Sequence, residues 1–128
     1  MNEYTSEFWE HLCREAVSGN EILGQVWGEA RRWWGSVKTD DKIRQIEIDL
    51  IAQSADGKSI MIGECKWTNP EIAVNLAKDL KEKSLLLPFC NGKQILPVLF
   101  LKNKPKDMWE ANGINILYPE DIIRLSYG

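Results

Sequence analysis

The chain is poor in the residues that build the commonest metal and disulfide sites. Its 128 residues include one histidine, His11, which excludes metal sites that need two or more His ligands and any mechanism that needs a His pair. Its three cysteines, Cys13, Cys65 and Cys90, lie far apart without the paired spacing of a zinc site. An odd, scattered cysteine count is typical of reduced thiols in a cytosol, so we expect a cytoplasmic protein.

The sequence also lacks a long apolar segment and a basic charge balance. No apolar run approaches the roughly 18 residues that a transmembrane helix needs, so we expect no membrane contact. The first ten residues are polar and acidic, unlike a signal peptide. The net charge of −3 counts against a non-specific nucleic-acid coat, which is usually basic. An acidic cluster that binds a cation would, however, contribute negative charge that the ion neutralises.

Size and hydrophobic patterning predict one globular α/β domain over residues 1–128. The patterning predicts helices over residues 5–18, 69–87, 106–111 and 119–125, and strands over residues 29–35, 43–53, 60–67, 95–101 and 114–117. Asp56-Gly57 indicates a hairpin between two antiparallel strands. We therefore expect an αβββαβ core with a central mixed sheet flanked by helices. Strict alternation along residues 43–53 would put four apolar side chains on one face: Ile46, Ile48, Leu50 and Ala52.

Two short stretches within the predicted strands carry the most chemical information. They are Glu47-Ile48-Asp49 and Glu64-Cys65-Lys66, each within an apolar, β-branched run. Because alternate residues of a strand share a face, two adjacent strands would gather two or three carboxylates and one ammonium at one spot. Such a group suits a divalent cation held against a phosphate, with a water activated beside it.

The order of elements and acids resembles the PD-(D/E)XK nuclease superfamily. Its signature is an acid on the second strand and (D/E)-x-K on the third, which Asp49 and Glu64-Cys65-Lys66 match. Many members add a glutamate on the first helix, often after an aromatic residue, and Trp9-Glu10 fits that position. The resemblance implies a restriction-endonuclease-like fold and hydrolysis of nucleic acid.

A narrower resemblance covers nearly the whole chain. Three motifs in order, Trp33-Trp34-Gly35, Glu47-Ile48-Asp49 and Gly63-Glu64-Cys65-Lys66-Trp67, look like the C-terminal nuclease-like domain of archaeal-type AAA+ ATPases. That domain usually follows an ATPase module, so the chain would be a stand-alone relative or a piece of a longer protein. The resemblance implies DNA as substrate, Mg²⁺ or Mn²⁺ as cofactor, and an AAA+ ATPase module as a partner in cis or in trans.

The resemblance also implies a role for each acidic or basic residue of the motifs. Asp49, Glu64 and the backbone carbonyl of Cys65 would hold the cation, since Mg²⁺ prefers hard oxygen donors. Lys66 would position or deprotonate the attacking water and offset charge on the phosphate. Glu10 would complete the metal shell or orient a water. The Cys65 side chain should point into the core as a structural thiol.

Each of these roles has a simpler structural alternative. Asp49 and Glu64 would otherwise lie on a solvated strand face, and Lys66 would form an ion pair with Glu64. Glu10 would otherwise be a surface glutamate, because Glu7 and Glu15 compete for its role.

The basic and aromatic residues outside the two stretches are also open to two interpretations. Arg31 and Arg32 would contact phosphates, and Trp33 and Trp34 would stack on bases. In the simpler alternative, at least one tryptophan belongs to the core and one arginine is an ordinary surface charge. Three lysines of the helix over residues 69–87 are most simply a solvated face: Lys78, Lys81 and Lys83.

Three functions remain open from the sequence. The first is a Mg²⁺-dependent endodeoxyribonuclease, for which a homodimer would suit cleavage of both strands. The second is a non-catalytic nucleic-acid-binding or assembly module associated with an AAA+ ATPase. The third is a regulatory domain that keeps a relict of the site, since residues alone do not establish activity.

Overall fold

A computed structural model describes residues 3–67, 73–102 and 115–127 of the chain. The helical elements are α1 (Glu3–Val17), α2 (Ala73–Leu86), a single 3-10 turn (Pro88–Cys90) and α3 (Pro119–Tyr127). The strands are β1 (Glu21–Ile22), β2 (Gln25–Val26), β3 (Arg31–Thr39), β4 (Lys42–Gln53), β5 (Ser59–Lys66), β6 (Gln94–Leu101) and β7 (Asn115–Leu117). The predicted helix start at Asn69-Pro70-Glu71 and the predicted helix 106–111 lie outside the described residues.

The central sheet has five strands in the order β3-β4-β5-β6-β7. β3, β4 and β5 are antiparallel neighbours, whereas β6 runs parallel to β5 and β7 runs parallel to β6. The long connection from β5 to β6 contains α2, as a parallel crossover requires. The predicted mixed α/β sheet is therefore confirmed, with an antiparallel front and a crossover helix.

The β3–β4 arm is longer than the sequence predicted. The predicted strands leave residues 36–42 unpaired, but pairing continues to Thr39 opposite Lys42. Only Asp40 and Asp41 remain for the turn, and Asp40 adopts a left-handed conformation with φ of 52°. Asp tolerates this region better than most residues because its short side chain can bond locally.

Helices cover both faces of the sheet and create two apolar clusters. α1 and α3 pack on one face, where the cluster includes Trp9, Cys13, Phe100 and Ile122. α2 packs on the other face, where Leu80 and Leu87 lie against Ile48 and Ile62. Within the three described ranges, no helix combines the length and apolarity needed to cross a membrane.

A β-bulge in β4 overturns the predicted alternation of that strand. Arg31 pairs with Ile51 and Trp33 with Ile48, so one residue of β3, Arg32, lies opposite two residues of β4. Ile46 and Ile48 consequently face α2, whereas Leu50 and Ala52 face α1. The four side chains do not share one face, because one extra residue in a strand reverses the alternation beyond it. The bulge lies at Asp49 and Leu50, where the first acid of the motif stands.

Gly63 permits a close contact between β5 and β6. A Cβ atom on Gly63 would lie 2.7 Å from Cε1 of Phe100 and 3.3 Å from Cβ of Leu50. The first distance is too short for any side chain, so the aromatic ring occupies the space that a larger residue would need. Glycine immediately before Glu64 is therefore a packing requirement of the core.

Gly63→Ala is expected to lower the free energy of unfolding by about 1–3 kcal/mol, because overpacking forces the ring or a strand to move. Urea denaturation measures the change. Phe100→Leu removes the clashing ring atom, so the double variant should be more stable than the sum of the two single effects predicts. Strictly additive effects would show that the contact does not limit this position.

Candidate active site

The candidate site lies where β4 and β5 separate. Their last paired residues are Leu50 and Gly63, so Asp49 and Glu64 occupy the next position on each strand. The backbone N–H of Cys65 donates to Oδ2 of Asp49 at 2.9 Å. The carboxylate of Asp49 thus takes the place of a strand partner at this fork. A carboxylate held by a backbone amide has a fixed position, which suits a ligand or a catalytic group.

α1 brings a third carboxylate to the fork. Trp9 is buried, and its Nε1 donates to the backbone oxygen of Phe100 at 3.1 Å. The indole also lies 5.1 Å from the ring of Trp67, measured between ring centres. Glu10 follows this anchored residue, is half-buried and lies in hydrogen-bonding contact with Asp49.

The other two candidate glutamates of α1 remain at the surface. Glu7 is exposed, and the exposed Glu15 lies 3.2 Å from Nε2 of His11. The glutamate of α1 that joins the cluster is therefore Glu10, as the sequence predicted.

Burial and the neighbouring Asp49 raise the pKa of both glutamates of the cluster. Burial, followed by contact with Asp49, raises the pKa of Glu64 from 4.5 to about 7. Burial and the same neighbour raise the pKa of Glu10 to about 7, against the opposing charges of Arg14 and Lys66. Near neutral pH, any positive charge placed within the cluster therefore stabilises the ionised carboxylates.

Lys83 supplies one such charge, which sequence analysis missed. The sequence predicted an outward lysine, but its side chain is only 19% exposed, and Nζ lies 3.1 Å from Oε1 of Glu64. Nζ also donates to the backbone oxygen of Glu47 and lies 3.3 Å from Asp79. The sequence spacing could have revealed this inward position, because Lys83 follows Leu80 by three residues and precedes Leu87 by four. That spacing puts it on the inward stripe of the helix.

Arg14 is a second basic residue that sequence analysis missed. Its Nη1 donates to the backbone oxygen of Asp49 at 3.0 Å, and its charge lowers the pKa of the neighbouring Glu10. Arg14 also lines an open cleft of about 380 Å³ between α1 and the start of β3. The spacing of four residues between Glu10 and Arg14 on one helix face could have revealed it.

Lys66 is half-buried beside the cluster, where its charge lowers the pKa of Glu10. The alternative of an ion pair between Lys66 and Glu64 is not what the described residues show, since Glu64 pairs with Lys83. Lys66 and Lys83 thus act on different glutamates of the same cluster.

The side chain of Cys65 points into the core, as predicted. It is buried and hydrogen-bonds to the thiol of Cys13 on α1. Burial, followed by this contact, raises the pKa of the Cys65 thiol well above its usual value. A neutral buried thiol is a poor nucleophile, so only the backbone of Cys65 serves the site.

The predicted phosphate-binding arginines lie on β3, outside the cluster. Both are exposed: Arg31 forms an ion pair with Glu29 at 2.8 Å, and Arg32 pairs with Glu47 at 3.4 Å. Trp33 packs edge-on against Phe89, and Trp34 is 66% exposed. The sequence prediction that at least one tryptophan belongs to the core therefore holds for Trp33.

The donor set at the fork fits a hard divalent cation by its chemistry. Asp49, Glu64 and Glu10 supply carboxylate oxygens, which Mg²⁺ and Mn²⁺ prefer. Glu10 and Glu64, however, both lie in hydrogen-bonding contact with Asp49. Among the described residues, no group of three His, Cys, Asp or Glu side chains is already arranged as a ligand set. Binding of a cation would therefore require these side chains to separate from their present contacts.

A comparison with protein families finds a match over most of the chain. The model of a family described as archaeal and bacterial proteins of unknown function, DUF234, matches residues 1–83. A comparison with curated proteins finds no match. The matched region contains α1, the β3–β4 arm and β5, together with Asp49, Glu64 and Glu10.

Stability measured with a chelator present should fall as the pH rises from about 4.5 to about 7. In this window the unfolded chain has released the Glu64 proton, whereas the folded chain retains it, so raising the pH favours unfolding. Glu64→Gln removes this titration. We expect the variant to be more stable than the parent at pH 7.5 by roughly 1 kcal/mol, or about 3–5 °C in Tm.

Glu7→Gln is the matched control, because Glu7 is an exposed glutamate of α1. It should change the Tm equally at both ends of this pH range. If Glu64→Gln and the parent show parallel pH profiles, the pKa of Glu64 is not raised in the folded chain.

Proposed function

We propose that this chain, which belongs to the DUF234 family of archaeal and bacterial proteins, hydrolyses phosphodiester bonds of DNA with the help of Mg²⁺ or Mn²⁺. The observation that carries the proposal is the convergence of Asp49, Glu64 and Glu10 at the fork between β4 and β5, with Lys66 beside them. Carboxylates held this closely are costly to the fold without a cation, and such costs concentrate at functional sites.

In this proposal, each residue of the fork has a separate catalytic or metal-binding role. Asp49, Glu64 and the carbonyl of Cys65 would hold the cation, which neutralises the phosphate and lowers the pKa of a bound water. Lys66 would orient the attacking water and offset the charge that develops on the phosphate oxygens. Glu10 would orient the same water, since a carboxyl group with a pKa of about 7 exchanges protons readily near neutral pH.

Cleavage of DNA tests the proposal directly. The purified chain, given Mg²⁺ or Mn²⁺, should cut DNA, and Asp49→Ala or Lys66→Ala should slow cleavage by about 10²–10⁴-fold. Lys78→Ala is the matched control, because Lys78 is an exposed lysine of α2 outside the cluster. Cleavage by the Asp49→Ala and Lys66→Ala variants at the parent's rate would trace the activity to a contaminant and exclude this site.

A second candidate function is a non-catalytic nucleic-acid-binding or assembly module that serves an AAA+ ATPase. The ion pair of Lys83 with Glu64 favours it, because a lysine already neutralises one of the proposed ligands. In a purely structural cluster, Lys83, Arg14 and shared protons would balance the carboxylate charges permanently. In a hydrolase, a divalent cation would instead supply part of the positive charge that balances them.

Thermal unfolding of Lys83→Met separates the two functions. The substitution should lower the Tm because it leaves the buried Glu64 without its ion pair. For a hydrolase, Mn²⁺ should restore most of that loss, since saturation at about 100 times the Kd contributes about 2.7 kcal/mol. Lys78→Met is the control and should show no such recovery beyond the parent's own response. A Tm that Mn²⁺ leaves unchanged in every variant would favour the assembly module.

A further inference from the structure

One face of the β3–β4 arm is uncovered. Its residues alternate along β3 as Arg32, Trp34, Ser36 and Lys38, and the cross-strand partners of Ser36 and Trp34 are Gln45 and Glu47. We call these six residues the arm face, and all of them are exposed. α1 packs on β4 and β5, toward the fork. The arm face is thus a sheet surface that presents an aromatic ring, cations and polar groups to solvent.

The centre of the arm face is an ordered pair of side chains. The guanidinium carbon of Arg32 lies 5.6 Å from the ring centre of Trp34, and Arg32 is held by Glu47 at 3.4 Å. Trp34 nevertheless remains 66% exposed, whereas the preceding Trp33 is packed against Phe89. The ring of Trp34 therefore keeps apolar surface available for a ligand, next to a cation that is already positioned.

The arm face is continuous with the candidate active site. Glu47 precedes Asp49 by two residues on β4, so the arm face ends beside the fork. A ligand lying along the arm would reach the fork without leaving the sheet. The arm face carries one net positive charge, because Glu47 offsets Arg32 and leaves Lys38 in excess, and this charge suits a polyanion.

Stacking on Trp34 requires an unpaired base. In a duplex the faces of each base are covered by its neighbours, whereas a single strand exposes them to an aromatic side chain. Ser36 and Gln45 add polar groups beside the ring, where the amide of Gln45 donates to Oγ of Ser36 at 2.7 Å. We propose that the arm face binds a single strand of DNA, with a base stacked on Trp34 and phosphates near Arg32 and Lys38. Delivery of this strand to the fork rests on the proposed function, but the binding does not.

Fluorescence anisotropy with a labelled oligothymidylate tests the proposal. The measurement is made with a chelator present, so no cleavage is needed. Trp34→Ala should weaken binding about tenfold, and Trp34→Phe should recover most of the affinity because it restores an aromatic face. Leu85→Ala is the control, since Leu85 is 84% exposed on α2 and should leave binding unchanged. A blunt duplex should lose less than about twofold affinity in Trp34→Ala, since its bases do not reach the ring.

Three outcomes would overturn the proposal. The first is the absence of oligothymidylate binding by the parent chain. The second is equal binding by the parent and Trp34→Ala, or an equal loss on single strand and duplex. The third is a dimer, seen by sedimentation, that Trp34→Ala dissociates, because the arm face would then be covered by a second copy. Failure of DNA cleavage with intact Trp34-dependent binding would reject the proposed hydrolysis alone.

Discussion

The hydrogen bond from the backbone of Cys65 to the carboxylate of Asp49 is the contact on which the site depends. It lies where β4 leaves β5 and a buried amide would otherwise lose its strand partner. An unpaired buried amide is costly, so the fold itself requires a side-chain acceptor at this position. The bulge at Asp49 and Leu50 provides it, because the extra residue bends β4 and redirects the side chain. The fold and the candidate site therefore both require the side-chain oxygens of Asp49.

The fork is also where the two helical layers meet through the sheet. Glu10 approaches from α1, whereas Lys83 approaches from α2, and both act on the acids at the strand ends. A continuous sheet would separate these side chains, since its hydrogen-bonded backbone leaves no gap. The separation of β4 and β5 allows acids and bases from opposite layers to balance one another. This charge balance also explains how three carboxylates lie together in a partly buried place although they are not arranged as a ligand set.

The adjacent tryptophans of β3 show how one edge strand serves two purposes. Trp33 contributes apolar area to the cluster under α2, and Gly35 leaves room for its ring, since a Cβ there would lie 3.0 Å from it. Trp34 points the other way because successive side chains of a strand alternate. The inward ring secures the arm to the core, and the outward ring remains available. A stable edge strand can therefore present an aromatic surface close to the carboxylates.

Local sequence was sufficient to predict α1, α2, α3, the five strands of the central sheet, the hairpin at Asp56-Gly57 and the meeting of Asp49 with Glu64, because these depend on periodicity and on turns between neighbours in the chain. It did not predict β1, β2 or the full length of the β3–β4 arm. The choice of Glu10 over Glu7 and Glu15 rested on the family resemblance, in which a glutamate follows an aromatic residue of the first helix. The bulge was not predictable, since it is a mismatch in length between two strands and neither strand shows it alone. The roles of Lys83 and Arg14 likewise required the packed structure. Their helices fix which way each side chain points, but only the placement of those helices across the fork decides which acids they meet.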